Sequence, residues 1–431
     1  LLKLSSLIWC DSIMRIMKKN VYFYTQGCRL NQSETASIET GFSSLGYNRV
    51  FNHLDADIAL INTCTVTENA DTDTKKLTKK MAKENTSIKI ALIGCQSQIH
   101  QDKLFELPNV QWVIGNQDKM KAHHIIDQQL ALKNPLIQTP KLTRDPFTIP
   151  AASIDSTHTR ATIKIQDGCD FYCAFCIIPF ARGPARSRVF EDIIKECNQL
   201  AAYGYQEIVI TGINIGTYEY ESKTIVDVVA AISDIETIKR IRISSIEPTT
   251  IATELIELMN TNPKLCRYLH IPLQSGSDEI LAAMARKYSM KEFRSFVEFA
   301  YKTVDDICIG TDVIVGFPGE TKAHFDETVA NLLTLPIHYF HVFSYSERKF
   351  ARSRKKENKI PAQTIANRSK ILRTISQQKK DAFYKSQKGK QLHVLVESFK
   401  NGSWSGLTDN YIKVNFKSTE NLKNKFHTIT Y

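Results

Sequence analysis

The 431 residues predict an α/β protein in three parts: an N-terminal α/β domain, a partial parallel (β/α) barrel and a small C-terminal β barrel. Three observations predict this. Between residues 17 and 140, short apolar runs alternate with polar helical stretches, the βαβ rhythm. From 162 to about 346 a strand, loop, helix unit recurs often enough to close a parallel barrel or part of one. Beyond 386 the runs become short and alternating and are punctuated by glycines, as in a small β barrel.

Taken in order, residues 1–16 are expected to carry no function, with Met17 and the basic pair Lys18-Lys19 reading as the natural start. The apolar stretch 1–13 contains Lys3 and Asp11, and no run approaches the roughly 18 apolar residues that span a bilayer, so no membrane partner is expected. The N-terminal domain is placed at 17–140, with strands at 21–24, 58–62 and 88–93 and a helix over 68–83. Four prolines between 133 and 150 mark a linker. The barrel is placed at 150–380, with strands at 162–166, 207–211, 241–245, 268–271, 309–315 and 338–344 and a helix near 191–203. A basic helix over 364–385 leads to the last domain, 386–431, with strands at 391–397 and 411–416 of oligonucleotide-binding type, or a plain structural appendage.

Apolar and charged usage is that of a globular chain, which excludes disorder as the organising principle. The formal charge of +11 is concentrated: residues 348–390 hold 15 Lys and Arg against Glu357 and Asp381, so this segment carries +13 and the remainder about −2. Such a block is either a solvated helix face or a track for nucleic-acid phosphates, where clustered cations gain affinity by counterion release. Arg348, Arg352, Arg354, Lys355 and Lys356 are the candidates for that contact.

Ten cysteines are too few for a disulfide scaffold in a chain of this length, and their clustering points to metal thiolates in a reducing cytoplasm. Cys169-x3-Cys173-x2-Cys176 lies in the loop after the 162–166 strand. A structural zinc needs four ligands, and this loop offers no fourth; His158 lies on the far side of the strand. Three thiolates can instead hold three irons of a 4Fe-4S cluster and leave one iron open to a small molecule. A second set, Cys28, Cys64 and Cys95, is spread by 36 and 31 residues. Isolated cysteines are usually small buried hydrophobes, but each of these follows a strand at the same edge of one domain, so the three can converge. Cys197 and Cys308 read as core, and Cys10 and Cys266 show no pattern.

The Cys169, Cys173, Cys176 spacing with Phe175 before the last cysteine resembles the radical S-adenosylmethionine superfamily. Four further segments strengthen the likeness at successive strand ends: Thr211-Gly212-Ile213-Asn214, Ser244-Ser245-Ile246-Glu247-Pro248, His270-x-Pro272-x-Gln274-Ser275-Gly276-Ser277 and Thr311-Asp312-x3-Gly316-Phe317-Pro318-Gly319-Glu320. The first departs from the superfamily's usual Gly-Gly-Glu form. The resemblance implies that the open iron chelates the amino and carboxylate groups of S-adenosylmethionine and that cleavage yields a 5′-deoxyadenosyl radical. It implies a cofactor site at Phe175, Gly212, Asn214, Ser245, Glu247, His270, Gln274, Ser275, Gly316 and Pro318, with Cys169, Cys173 and Cys176 as the catalytic cysteines.

With Cys28, Cys64 and Cys95 added, the chain resembles the methylthiotransferases from 17 to 431, and its end looks like a TRAM domain (Gly406-Leu407-Thr408-x2-Asn410-Tyr411-Ile412-x-Val414). Residues 27–35 and 177–188 look most like the threonylcarbamoyladenosine tRNA enzymes, ahead of the isopentenyladenosine and ribosomal-protein enzymes. The implied cofactors are two 4Fe-4S clusters and S-adenosylmethionine. The implied partners are a tRNA anticodon loop, an electron donor of flavodoxin or ferredoxin type and a sulfur source that the sequence does not name. The implied reaction places a methylthio group on C2 of N6-threonylcarbamoyladenosine at position 37. An aromatic C2–H is too weak an acid for any side-chain base, so a cofactor must open it. A non-catalytic iron-sulfur protein that binds RNA is the rival reading.

Overall fold

The computed structural model describes residues 19–150, 152–154 and 158–431. The expectation for residues 1–16, and Cys10 with it, lies outside the described residues. The chain divides into two compact units, Leu1–Thr143 with Ile149–Ile154, and Arg144–Thr148 with Asp155–Tyr431.

The first unit is a parallel sheet of β1 (Asn20–Thr25), β2 (Asn48–Val50), β3 (Ile58–Thr63), β4 (Lys89–Gly94), β5 (Val110–Ile114) and β6 (Leu136–Gln138), in the order β2-β1-β3-β4-β5-β6. Its central strands are apolar on both faces because helices cover both. One face packs Ile58, Leu60, Ala91, Ile93 and Trp112 on Ile38, Phe42 and Ile126; the other packs Ala59, Ile61, Ile90 and Leu92 on Met81 and Leu104. The segment expected to be a bare linker contains β6, which pairs with β5 at the sheet edge. Three residues between prolines are enough to extend an edge strand, and too short to leave a periodic signal.

In the second unit, β7 (Ala161–Lys164) is followed by a two-residue ribbon, β8 (Gln166–Asp167) with β9 (Arg186–Ser187), and the cysteine loop runs between them. The parallel strands β10 (Glu207–Thr211) and β11 (Arg240–Ile243) extend from β7, while β12 (Tyr268–His270), β13 (Cys308–Val315) and β14 (Tyr339–Ser344) form a second parallel sheet. Parallel bridges Ile241 to Leu265 and Ser245 to His270 join the two sheets, so the six strands run in sequence order as a partial (β/α) barrel.

The chain ends in an antiparallel sheet of β15 (Gln391–Lys400), β16 (Ser403–Thr408), β17 (Lys413–Phe416) and β18 (Phe426–Thr430), ordered β17-β16-β15-β18. Its inner face, Leu392, Val394, Val396, Trp404 and Val414, shares a core with Tyr268 and Cys308 at the N-terminal ends of β12 and β13. Arg240 and Arg242 seal the joint, donating to the carbonyls of His393, Leu407, Thr408 and Asp409 while both pair with buried Glu207. The sheet therefore closes the barrel end opposite the cysteine loop.

Among the described residues, no helix is long and apolar enough to cross a membrane. Cys197, Cys266 and Cys308 are buried core residues.

Candidate iron-sulfur and S-adenosylmethionine site

The turn feeding the cysteine loop is fixed by Asp167. Its carboxylate accepts from the Gly168 amide at 2.9 Å, Lys164 Nζ at 2.6 Å, Arg182 at 2.9 Å and Arg186 at 3.2 Å. Gly168 has φ +71, and a Cβ there would lie 1.9 Å from the Pro184 carbonyl oxygen, so only glycine fits the crossing. Cys169 N–H then donates to Gly183 at 3.0 Å.

Cys173 lies close enough to raise the thiol pKa of both Cys169 and Cys176, and Cys169 that of Cys176. Burial is the larger cause, lifting Cys169 to about 11 and Cys176 to about 12. Such thiols give up their protons when a cation replaces them. Arg286, which the sequence reading missed, donates to Cys173 Sγ at 3.2 Å and pairs with Glu247. Burial disfavours the Arg286 cation, but Tyr288, Glu247 and Cys173 outweigh it and keep the guanidinium charged. Tyr288 in turn donates to the carbonyls of Pro272 and Leu273. No spacing rule signals an arginine 113 residues beyond its sulfur partner; the fold alone brings it back.

Among the described residues, His270, Asp312 and His341 bring their ligand atoms within 4.8 Å of one another. Three soft thiolates on one loop suit three irons of a cubane cluster, whereas a structural zinc needs a fourth ligand. Two buried polar atoms, Asn214 Nδ2 and Ser244 Oγ, have no hydrogen-bond partner among the described residues and fit a polar cofactor.

The other expected cofactor residues sort by place. Phe175 packs with Ala174, Met284 and Phe317 beneath the cysteine loop. Gly212 lies against Gln166, whose side chain accepts from the amides of Ile213 and Asn214. Ser245 is exposed and bridges to His270. Gln274 takes φ +71 in a turn paired with β13, and Ser275 is buried beside it, its Oγ accepting from Ser277 N–H. His270 Nε2 lies 2.9 Å from Asp312, and Asp312 is in register with His341 on β14. Gly316 and Pro318 are buried in a turn built for structure: Gly316 N–H donates to Glu320, which pairs with Arg368, and a Cβ at Gly316 would meet Ile365 at 2.4 Å.

In the first unit, Cys28, Cys64 and Cys95 follow β1, β3 and β4, adjacent parallel strands, at one edge. Cys28 caps the helix Arg29–Ser44 and Cys95 opens the helix Cys95–Phe105, so both stand at helix N-termini, where amide groups favour anionic ligands. A Cβ at Gly27, φ +86, would lie 2.8 Å from Cys64 Sγ, which puts the Cys28 loop directly on Cys64. Gln96 Oε1 and Ser97 Oγ, beside Cys95, are buried with no partner among the described residues.

The basic segment divides too. Arg348 is buried, with 4% exposure, which corrects the expectation of a surface phosphate contact there. Arg352, Arg354, Lys355 and Lys356 are exposed, Arg354 pairing with Glu347. In the helix Ala362–Ser386, Arg368 pairs with Glu320 and Lys379 donates to the carbonyls of Leu335 and Ile337, so part of the charge serves packing.

Residues 163–332 match the Radical SAM superfamily and residues 20–115 the Uncharacterized protein family UPF0004. The chain is 36% identical over 418 residues to the threonylcarbamoyladenosine tRNA methylthiotransferase MtaB of Bacillus subtilis (strain 168), covering 94% of this chain and 92% of that protein. It is 30% identical over 402 residues to a tRNA-2-methylthio-N(6)-dimethylallyladenosine synthase of Endomicrobium trichonymphae, covering 92% and 93%. The fold is similar to that of the radical S-adenosylmethionine methyltransferase TsrM from Kitasatospora setae, with a TM-score of 0.55 at 11% identity over 76% of this chain and 73% of that one.

Proposed function

The chain belongs to the radical S-adenosylmethionine methylthiotransferase family, and from that premise we propose that it converts N6-threonylcarbamoyladenosine at position 37 of tRNA to the 2-methylthio derivative. The observation that carries the reading is the cysteine loop, with Cys169, Cys173 and Cys176 drawn together at the strand ends and Arg286 and Glu247 beside them. When bound, the cluster and S-adenosylmethionine supply a 5′-deoxyadenosyl radical, able to take a hydrogen that no side-chain base can remove.

The remaining tasks fall to this chain's residues. Cys169, Cys173 and Cys176 would hold three irons. Asn214 and Ser244 would offer polar partners to S-adenosylmethionine, and Arg286 would hold Glu247 and donate to Cys173. Cys28, Cys64 and Cys95 would hold a second cluster, which would supply the sulfur to be transferred. The substrate is an anticodon loop, whose unpaired bases can be splayed out and read. We place the enzyme in the cytoplasm, reduced by a donor of flavodoxin or ferredoxin type.

The test is mass analysis of tRNA nucleosides from cells lacking the gene. Loss of 2-methylthio-threonylcarbamoyladenosine is expected. Loss of the isopentenyl analogue instead would move the substrate to that of the dimethylallyladenosine synthases, which share 30–31% identity with the chain.

A further inference from the structure

At the tip of the cysteine loop, three large aromatic side chains from separate segments stand in solvent and touch one another. Tyr172 is 47% exposed, Phe180 41% and Phe350 42%. Phe180 and Phe350 stack with ring centres 5.3 Å apart, and Tyr172 meets Phe180 edge-on at 6.1 Å. Scattered exposed aromatics need no explanation, but a contiguous group marks a binding surface.

The group is built, not incidental. Tyr172 takes φ +50, a left-handed conformation unusual for a bulky residue. Arg352 donates to its carbonyl at 2.7 Å, across 180 residues of sequence. Ser353 N–H donates to Ala174 at 2.9 Å and the Ser353 hydroxyl meets Tyr345 at 2.9 Å, which sews the 345–353 segment to the loop between the cysteines. Cations rim the aromatics: Lys349 lies over Phe350 at 5.0 Å, Lys287 lies over Phe171 at 4.4 Å, and Arg352 is exposed.

We infer that Tyr172, Phe180 and Phe350 form a stacking platform for unpaired RNA bases flanking the target adenosine, with Lys349 and Arg352 reaching the phosphates. The inference rests on the RNA reading above. Every base offers a π face to an aromatic ring, and the backbone between stacked bases is anionic, so exposed aromatics beside cations match single-stranded nucleic acid in both shape and charge. The surface lies next to the chemistry, whereas the C-terminal sheet covers the opposite end of the barrel.

The test uses the cluster-loaded full chain and two RNA probes, an anticodon stem-loop and a fully paired duplex of equal length, with binding read by fluorescence anisotropy. Phe350→Ala should weaken stem-loop binding about 5- to 150-fold, the effect of losing one stacked base. It should leave duplex binding unchanged, and Phe350→Trp should restore the loss. Lys349→Ala should reduce the slope of log affinity against log salt by about 0.7, one phosphate on a single strand. Dithionite-driven cleavage of S-adenosylmethionine without RNA should equal wild type in Phe350→Ala, which shows that the loop is intact. Stem-loop binding by Phe350→Ala within twofold of wild type overturns the platform. So does normal RNA binding combined with slowed reduction by a flavodoxin, which would assign the patch to the electron donor. Failure of the wild-type enzyme to bind the stem-loop would instead overturn the RNA reading itself.

Discussion

Gly27 and Arg286 show how single residues set the two cysteine sites. A methyl group at position 27 would stand 2.8 Å from Cys64 Sγ in a backbone conformation that L side chains rarely adopt. Gly27→Ala is therefore expected to lose about half of the bound iron while keeping S-adenosylmethionine cleavage, measured by iron assay and methionine release. Arg286 acts on Cys173 by charge and by hydrogen bond. Arg286→Met should lower the reduction potential of the barrel cluster by about 60 mV, the one-electron equivalent of about 1.4 kcal/mol and the size of one hydrogen bond to a charged group. A redox titration followed by electron paramagnetic resonance checks this; an unchanged potential would mean that the contact is lost once iron binds. The sequence made the cysteines legible because their spacing is a local constraint. It hid Arg286 and Tyr288, whose role exists only after the helix Asp278–Ala283 turns the chain back, and it misplaced Arg348, whose charge said surface while its packing says interior.

Among the elements, the parallel strands were readable and the edges were not. Two-sided burial leaves β3 and β4 as unbroken apolar runs, which any reading finds, while β2 and β6 have three residues each and carry no period. The joint between β10, β11 and the C-terminal sheet was invisible because it depends on Arg240 and Arg242, held by Glu207, donating to main-chain carbonyls from far along the chain. Burial alone would raise the pKa of Glu207, but Arg242, Arg240 and Arg160 outweigh it and hold the carboxyl below the usual range. A depressed folded-state value adds stability that is present above the unfolded pKa of about 4.3 and is lost as pH falls through the lower folded value. Glu207→Gln leaves two buried guanidinium groups without their carboxylate and should cost about 3–5 kcal/mol at pH 7. Hydrogen exchange over β15 and β16 reads the loss. The wild-type protein should lose this protection on acidification below the usual carboxylate range. The variant should show a smaller step, because Asp409 in the same joint, whose pKa burial would raise but Arg267, Arg240 and Arg242 hold low, still titrates.

Over the whole molecule, each unit carries its cysteines at the C-terminal edge of its own parallel sheet, where loops are free to vary while strands hold them. The barrel's other end is closed by the antiparallel sheet, so chemistry and structural closure occupy opposite ends of the second unit. The central claim is that both triplets hold iron-sulfur clusters. Iron and sulfide assay with Mössbauer spectroscopy tests it on the anaerobically reconstituted chain and on the Cys169→Ala, Cys173→Ala, Cys176→Ala triple variant. The account predicts about eight irons per wild-type chain and about four in the variant, all in cubane clusters. Four irons in the wild type with none in the variant, or zinc at Cys28, Cys64 and Cys95, would contradict it.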